Sequence, residues 1–194
     1  ANGWNGHSGP TGSFATGPAG GNPNTNGQVY IYTDSSTGTT GDRYSVYSPC
    51  VDLTSQTNPD LYFSYQMFGA TMGTLEVHIL QNGFDSLLWS VSGQQHTSET
   101  DPWTDTVLDL SFFAGDLLQV EIRGIRGTRF TADIAIDDIG LYELLSQDGA
   151  VPTISSPGSG CGLGDSLDVV IAAENFGLDT LFGVDVSVQI NNGS

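Results

Sequence analysis

The stretch Phe130–Glu143, F-T-A-D-I-A-I-D-D-I-G-L-Y-E, decides how the rest of the chain is read. Ile134 and Ile136 fall on one side of an alternating strand and Ala135 on the other, and Asp137 and Asp138 then follow side by side. Successive strand residues face opposite ways. A strand covered on one face therefore turns one of the two carboxylates toward the core, where an ionised group is costly unless it is paired or binds a metal. The chain holds 22 acidic and 4 basic residues, all four of them Arg, so a cation such as Ca²⁺ is the natural neutralising partner. A bulge at the strand end that turns both Asp to water is the alternative.

Short alternating segments separated by Gly, Asn, Asp and Ser clusters surround this stretch on both sides. Val29, Ile31 and Thr33 alternate with Tyr30, Tyr32 and Asp34. Tyr44 and Val46 alternate with Ser45 and Tyr47. The run from Leu61 to Phe68 is apolar on both faces, which places it centrally with cover on each side. Leu75, Val77 and Ile79 alternate with Glu76 and His78, giving one wet face, and Asn82-Gly83 marks a hairpin into Leu87, Trp89 and Val91. Further strands are read at Thr106–Leu110 and at Leu118–Arg123. Eight or nine short strands suffice for two packed antiparallel sheets. The expected fold class is all-β: an antiparallel jelly-roll β-sandwich.

The first 27 residues carry Gly, Asn, Thr and Pro and few aliphatic side chains. They are either disordered or an irregular leader laid over a sheet edge, tied down by Trp4 and Phe14, with Asn22 and Asn24 offering oxygen ligands. After Glu143 the composition shifts to a polar joint and a Ser, Gly and Pro-rich stretch over Pro152–Gly164, so a domain boundary is placed near residue 147. Beyond it Leu167, Val169 and Ile171 alternate with Asp168 and Val170, and Val184, Val186, Val188 and Ile190 with Asp185, Ser187 and Gln189; three strands are too few to close a sandwich of about seven.

The formal net charge of −18 repels nucleic acid and anionic membrane and suits an exported protein, although acidity also serves solubility alone. No apolar run reaches the length of a membrane span. The chain starts without a leader pattern, as expected of a mature or excised piece. Cys50 and Cys161 have no zinc-type spacing and are either buried free thiols or one bridge.

Catalytic patterns do not assemble. Gly164-Asp165-Ser166-Leu167 spells an esterase-like block, but a strand follows it and no His lies downstream. A glycosidase needs two carboxylates about 5–10 Å apart on an open face. Asp137 and Glu143 are too distant for that, and Asp137 and Asp138 face opposite sides. His7, His78 and His96 are scattered as surface or loop histidines. Trp89, Phe63 and Tyr65 lie on core stripes; Trp4, Trp103, Tyr30, Tyr32, Tyr44 and Tyr47 are read first as buried, with a sugar-stacking platform as the alternative if they form an exposed row.

The motifs in order, T-G-P at 16–18, V-Y-I-Y-T-D at 29–34, Y-S-P at 47–49, L-Y-F-S-Y-Q-M-F-G at 61–69, M-G-T-L-E-V at 72–77, S-L-L-W-S-V-S-G at 86–93, Trp103 before V-L-D-L-S at 107–111, and I-R-G-I-R-G followed by D-I-A-I-D-D-I, resemble a MAM domain. That is an extracellular module of meprins, neuropilins and receptor tyrosine phosphatases that also occurs in secreted bacterial proteins. The resemblance covers about residues 4–143. The cysteines typical of animal members are mostly missing, and Gly and Asn follow T-G-P where an Asp-His pair is common. It implies a non-catalytic jelly roll used for adhesion or protein contact, with a bound Ca²⁺ carried onto Asp34 and onto Asp137 or Asp138. Residues 151–194 resemble the opening strands of an immunoglobulin-like adhesion domain.

The expected organisation is thus a MAM-like domain over 1–146 and an incomplete Ig-like domain over 147–194, as part of a larger multidomain protein. The expected function is a calcium-stabilised recognition or adhesion module of a secreted or cell-surface bacterial protein, with an extracellular protein or glycan as partner. The alternatives are a carbohydrate-binding module appended to a secreted enzyme, or an accessory region of a secreted metalloprotease.

Overall fold

A computed structural model describes residues 3–23, 29–143, 149–156, 169–175, 180 and 182. Two compact units divide the chain, Ala1–Glu143 and Leu144–Ser194. In the first, β1 (Trp4–Ser8), β2 (Val29–Thr33), β5 (Pro59–Gln66), β8 (Thr104–Asp109) and β10 (Ala135–Glu143) form one sheet in the order β1-β2-β10-β5-β8. The other sheet runs β3 (Arg43–Tyr47), β9 (Leu117–Ile125), β6 (Thr74–Gln81), β7 (Phe84–Ser92), with β4 (Val51–Asp52) also paired to β9. Each of these strand pairings is antiparallel.

Alternation explains the core between the sheets. Leu61, Phe63, Ile134 and Ile136 from one sheet meet Leu75, Val77, Ile79, Val120 and Ile122 from the other, all buried. Phe63 sets its ring against Trp89 at 5.5 Å between centroids. The stretch that decides the fold lies at the centre of its sheet, with β10 between β2 and β5. β5 is covered on both faces as its composition requires. The hairpin at Asn82-Gly83 has φ of 51° and 82°, the left-handed pair that such a two-residue turn needs.

Several expectations are corrected. Residues 4–8 are a strand rather than an irregular leader: W-N-G-H-S has poor strand propensity, but it pairs with all of β2, and Trp4 donates from Nε1 to the Tyr44 carbonyl at 3.0 Å. Phe14 ties nothing down, being 87% exposed. His78 is a buried strand residue rather than a surface or loop one, while His96 does lie in a loop but is buried there. Cys50 is an exposed free thiol rather than a buried one, and Cys161 lies outside the described residues.

The second unit contains β11 (Gly149–Ser156) and β12 (Val170–Asn175), paired antiparallel. Pro152, the start of the Ser, Gly and Pro-rich stretch, therefore sits in a strand. The register shifts between Ala150 and Thr153, which leaves room for a residue that has no N–H to give. The strand expected over Val184–Ile190 lies outside the described residues.

Candidate functional site: an acidic bulge under an N-terminal strap

The geometry at Asp137 and Asp138 differs from both sequence alternatives. Asp137 stands opposite Ser64 and Gly140 opposite Tyr62, so β10 advances three residues while β5 advances two. One residue is extra, and the strand bulges there. Asp138 takes it up with φ 56°, a left-handed conformation that Asp tolerates better than most side chains. The added residue breaks the alternation and brings both carboxylates to the same outer side. Neither points into the core, and neither is simply solvated, for both are half-buried.

They converge on Asn22. Its backbone N–H donates to Asp137 Oδ2 at 3.0 Å, and its side-chain Nδ2 donates to Asp138 Oδ2 at 2.8 Å and to Ser64 Oγ at 3.1 Å. Asp138 N–H closes onto Asp137 Oδ1 at 2.9 Å. Ser64 Oγ donates onward to Asp105 Oδ1 at 2.6 Å. Burial raises the Asp137 carboxyl above its usual range, the N–H groups of Asn22 and Asp138 draw it back, and the neighbouring Asp138 raises it again.

Asn22 arrives on a strap, residues 9–23, that crosses the outer face of the β1-β2-β10-β5-β8 sheet. Tyr30 holds the Gly9 carbonyl at 2.7 Å, Gly17 N–H donates to Phe68 O at 2.9 Å, and Ala19 N–H donates to Glu99 O at 2.8 Å. Between residues 19–23 and 99–103 the strap leaves a cleft of about 420 Å³, with Trp103, Glu99 and Asp101 in its wall.

Asp34 is not brought to this corner. Ala135 pairs with Tyr32, so Asp34 lies level with Asp133, four residues from Asp137. At about 3.3 Å per strand residue that is roughly 13 Å, too far for one ion to span. The Asp34 carboxylate instead caps its own turn, accepting from Ser36 N at 2.9 Å and Ser36 Oγ at 2.5 Å. Asn24 lies outside the described residues. The proposed aromatic platform is a cluster rather than a row. Tyr30 is 1% exposed, with its ring 5.7 Å from Trp103 and 6.1 Å from Tyr32, while Trp4 packs on the core.

Two polar features escaped the sequence. On the outer face of the second sheet, Arg123 binds Glu121 from Nη2 at 2.8 Å and Asp85 at 3.1 Å. His78 Nδ1 contacts Asp85 at 2.6 Å and Nε2 contacts Glu76 at 3.0 Å. The regular spacing of Glu76, His78, Glu121 and Arg123 announced a shared face, but not its mutual burial. The other feature is Asp133, 0% exposed, with Oδ1 accepting Ser35 N–H at 2.8 Å and Oδ2 without a hydrogen-bond partner among the described residues.

Taken together, two antiparallel sheets, a strap across one of them and an acidic strand-end bulge define an all-β sandwich module. Residues 1–145 match the family described as "MAM domain, meprin/A5/mu", and the chain belongs to that family. It is 27% identical over 168 residues to thyroid hormone-induced protein B of Xenopus laevis, covering 85% of this chain and 22% of that protein. With MAM domain-containing glycosylphosphatidylinositol anchor protein 1 of Gallus gallus it shares 29% over 105 residues, 53% of this chain and 10% of the other. The chain thus spans less than a quarter of either relative. Among solved structures, the K1 cleaved adhesin domain of Lys-gingipain from Porphyromonas gingivalis W83 aligns with a TM-score of 0.44 at 16% identity, over 72% of this chain and 90% of that one.

Proposed function

We propose that the chain is a non-catalytic recognition module of a secreted or cell-surface protein, one that mediates protein or cell-surface contact and takes Ca²⁺ at its acidic bulge. The observation that carries this reading is the family match over residues 1–145. The relative named for a glycosylphosphatidylinositol anchor agrees with a cell-surface setting. A bacterial source and a place in a larger multidomain protein belong to the same proposal, as does division into a MAM domain over 1–146 and the start of an Ig-like domain over 147–194.

The donor set at the bulge suits a hard cation. Asp137, Asp138 and Ser64 supply oxygens, and Asn22 turns an N–H group toward Asp138 where an amide flip would present Oδ1 instead. These residues would hold the ion, whose chemistry there is charge neutralisation alone. It would fasten the strap to β10 and so fix the surface that the strap presents. Asp105 adds negative charge through Ser64.

The test displays the chain in multivalent form against a panel of cell-surface ectodomains and a glycan array, with Ca²⁺ or with a chelator. Selective protein binding that chelator weakens is the expected result. Selective glycan binding abolished by Trp103→Ala would favour a carbohydrate-binding module, and binding to neither panel would contradict the proposal.

A further inference from the structure

We propose that Asp133 is held as a neutral carboxylic acid whose Oδ2–H fastens the strap at Thr11, so that its ionisation unlatches residues 9–23 from the sheet. The inference is independent of the calcium reading. It rests on an accounting of protons around a fully buried group.

Three hydroxyls surround Asp133, and each has spent its single proton elsewhere. Thr11 Oγ1, within bonding range of the carboxyl, donates to Thr16 O at 2.9 Å. Thr16 Oγ1 donates to Phe68 O at 3.0 Å and accepts the Asp133 N–H at 2.9 Å. Ser35 Oγ donates to Ala132 O at 2.8 Å. Ser35 N–H satisfies Oδ1, and Oδ2 has no hydrogen-bond partner among the described residues. An ionised carboxylate in that position would hold a buried oxygen against lone pairs only, which is costly. A protonated one turns the same surroundings into acceptors for its own O–H.

A metal ion is the competing solution, and the packing speaks against it. A Cβ at Gly17 would stand 2.5 Å from Thr11 Cγ2, and one at Gly69 would stand 2.8 Å from Thr16 Oγ1. The two segments that carry Thr11 and Thr16 are thus closely packed against glycines, whereas Ca²⁺ needs 6–8 oxygens at about 2.3–2.6 Å. A proton needs no such room.

The charges facing Asp133 are divided. Asp34 raises its affinity for the proton, and Tyr30 and Tyr32 flank it from the same strand. Arg126, one residue past β9, is engaged on the far side of Ser35, whose carbonyl it binds from Nη2 at 2.7 Å and Nε at 3.1 Å. Burial is the largest influence; hydrogen bonding from Ser35 and Thr11 draws the carboxyl down, but burial outweighs it and pushes the carboxyl up to about 6. Ionisation would draw water to Oδ2 through the Thr11–Thr16 turn of the strap, the element that covers it.

The experiment follows the Asp133 carboxyl carbon by NMR in the whole chain between pH ~4 and ~8, together with amide exchange of Gly17 and Asp133 corrected for the intrinsic rate. The expected result is an Asp133 midpoint well above the ordinary carboxylate range, with Gly17 protection falling about tenfold through that midpoint and staying flat in Asp133→Asn. A midpoint in the ordinary range, or flat Gly17 protection in the unmodified chain, overturns the proposal. A midpoint that moves on adding Na⁺ or Ca²⁺ also overturns it, since a cation would then occupy the site. If Asp133→Asn does not fold, Thr11→Val serves: loss of the acceptor should lower the midpoint, and an unchanged midpoint refutes the latch.

Discussion

Replacing Asn22 by Ala probes the joint between the strap and the bulge. Asn22 is 1% exposed, and among the bonds its side chain makes are one to neutral Ser64 and one to the carboxylate of Asp138. A neutral bond contributes about 1 kcal/mol and one to a charged group about 1.5–3. The truncation keeps the backbone N–H bond to Asp137, so the expected loss is ~3 kcal/mol. Urea unfolding of the whole chain, followed through tryptophan fluorescence, measures it from the midpoint. An unchanged slope would show that the exposed surface is the same. Asn22→Asp separates geometry from charge by placing a third carboxylate beside Asp137 and Asp138. It should destabilise in chelator and be restored by Ca²⁺ beyond the level of the unmodified chain. A loss below about 0.5 kcal/mol for Asn22→Ala would mean that the strap is not anchored at the bulge, refuting this account of the corner.

Three further outcomes follow from other parts of the fold. Because Asp133 moves from 3.8 to about 6 on folding, its ionisation costs stability. That penalty is absent below pH 3.8, grows until about 6 and is constant above, amounting to ~3 kcal/mol at about 1.4 per unit. Asp133→Asn should therefore be more stable than the unmodified chain at neutral pH and equal to it in acid, by paired thermal melts. Gly127→Ala would push a Cβ to 1.7 Å from the Thr71 carbonyl, where backbone meets backbone, and should cost at least ~3 kcal/mol in the same unfolding assay. Arg123→Met strands Glu121, only 2% exposed, and should cost ~3 kcal/mol even though the Ser45 hydroxyl still reaches that carboxylate; a double mutant with Glu121→Gln should recover much of the loss.

Much of the fold was legible because strand period and burial coincide. Ile134 and Ile136, Leu61 and Phe63, and Val120 and Ile122 all fall on the faces that their alternation assigns. The corner was only partly legible. The pairing of Asp137 with Asp138 signalled a special site, but the extra residue that reverses the side one of them takes is a matter of register between β10 and β5, which no local pattern contains. Asp34 was misplaced relative to that corner for the same reason, since the stagger of β2 against β10 decides which residues stand level. β1 was missed because its Asn and Gly are poor strand formers, and long-range pairing with β2 together with the anchor at Trp4 overrides that propensity. Alternation gave His78 and Glu121 a wet face. Their burial comes from neighbouring long side chains that satisfy and cover one another, a property of three strands at once.

Calorimetric melting of the whole chain, in millimolar Ca²⁺ and in chelator, puts the cation-fastened bulge to the most direct trial. Ligand at about a hundredfold excess over Kd stabilises the folded state by ~2.7 kcal/mol. For a unit of this size that raises Tm by several degrees. The account predicts that shift in the unmodified chain, its reversal by chelator, its loss in Asp138→Ala and its persistence in Asp34→Ala. A melting curve indifferent to both Ca²⁺ and chelator would contradict it and leave Asn22, Asp137 and Asp138 as a hydrogen-bonded corner with no ion.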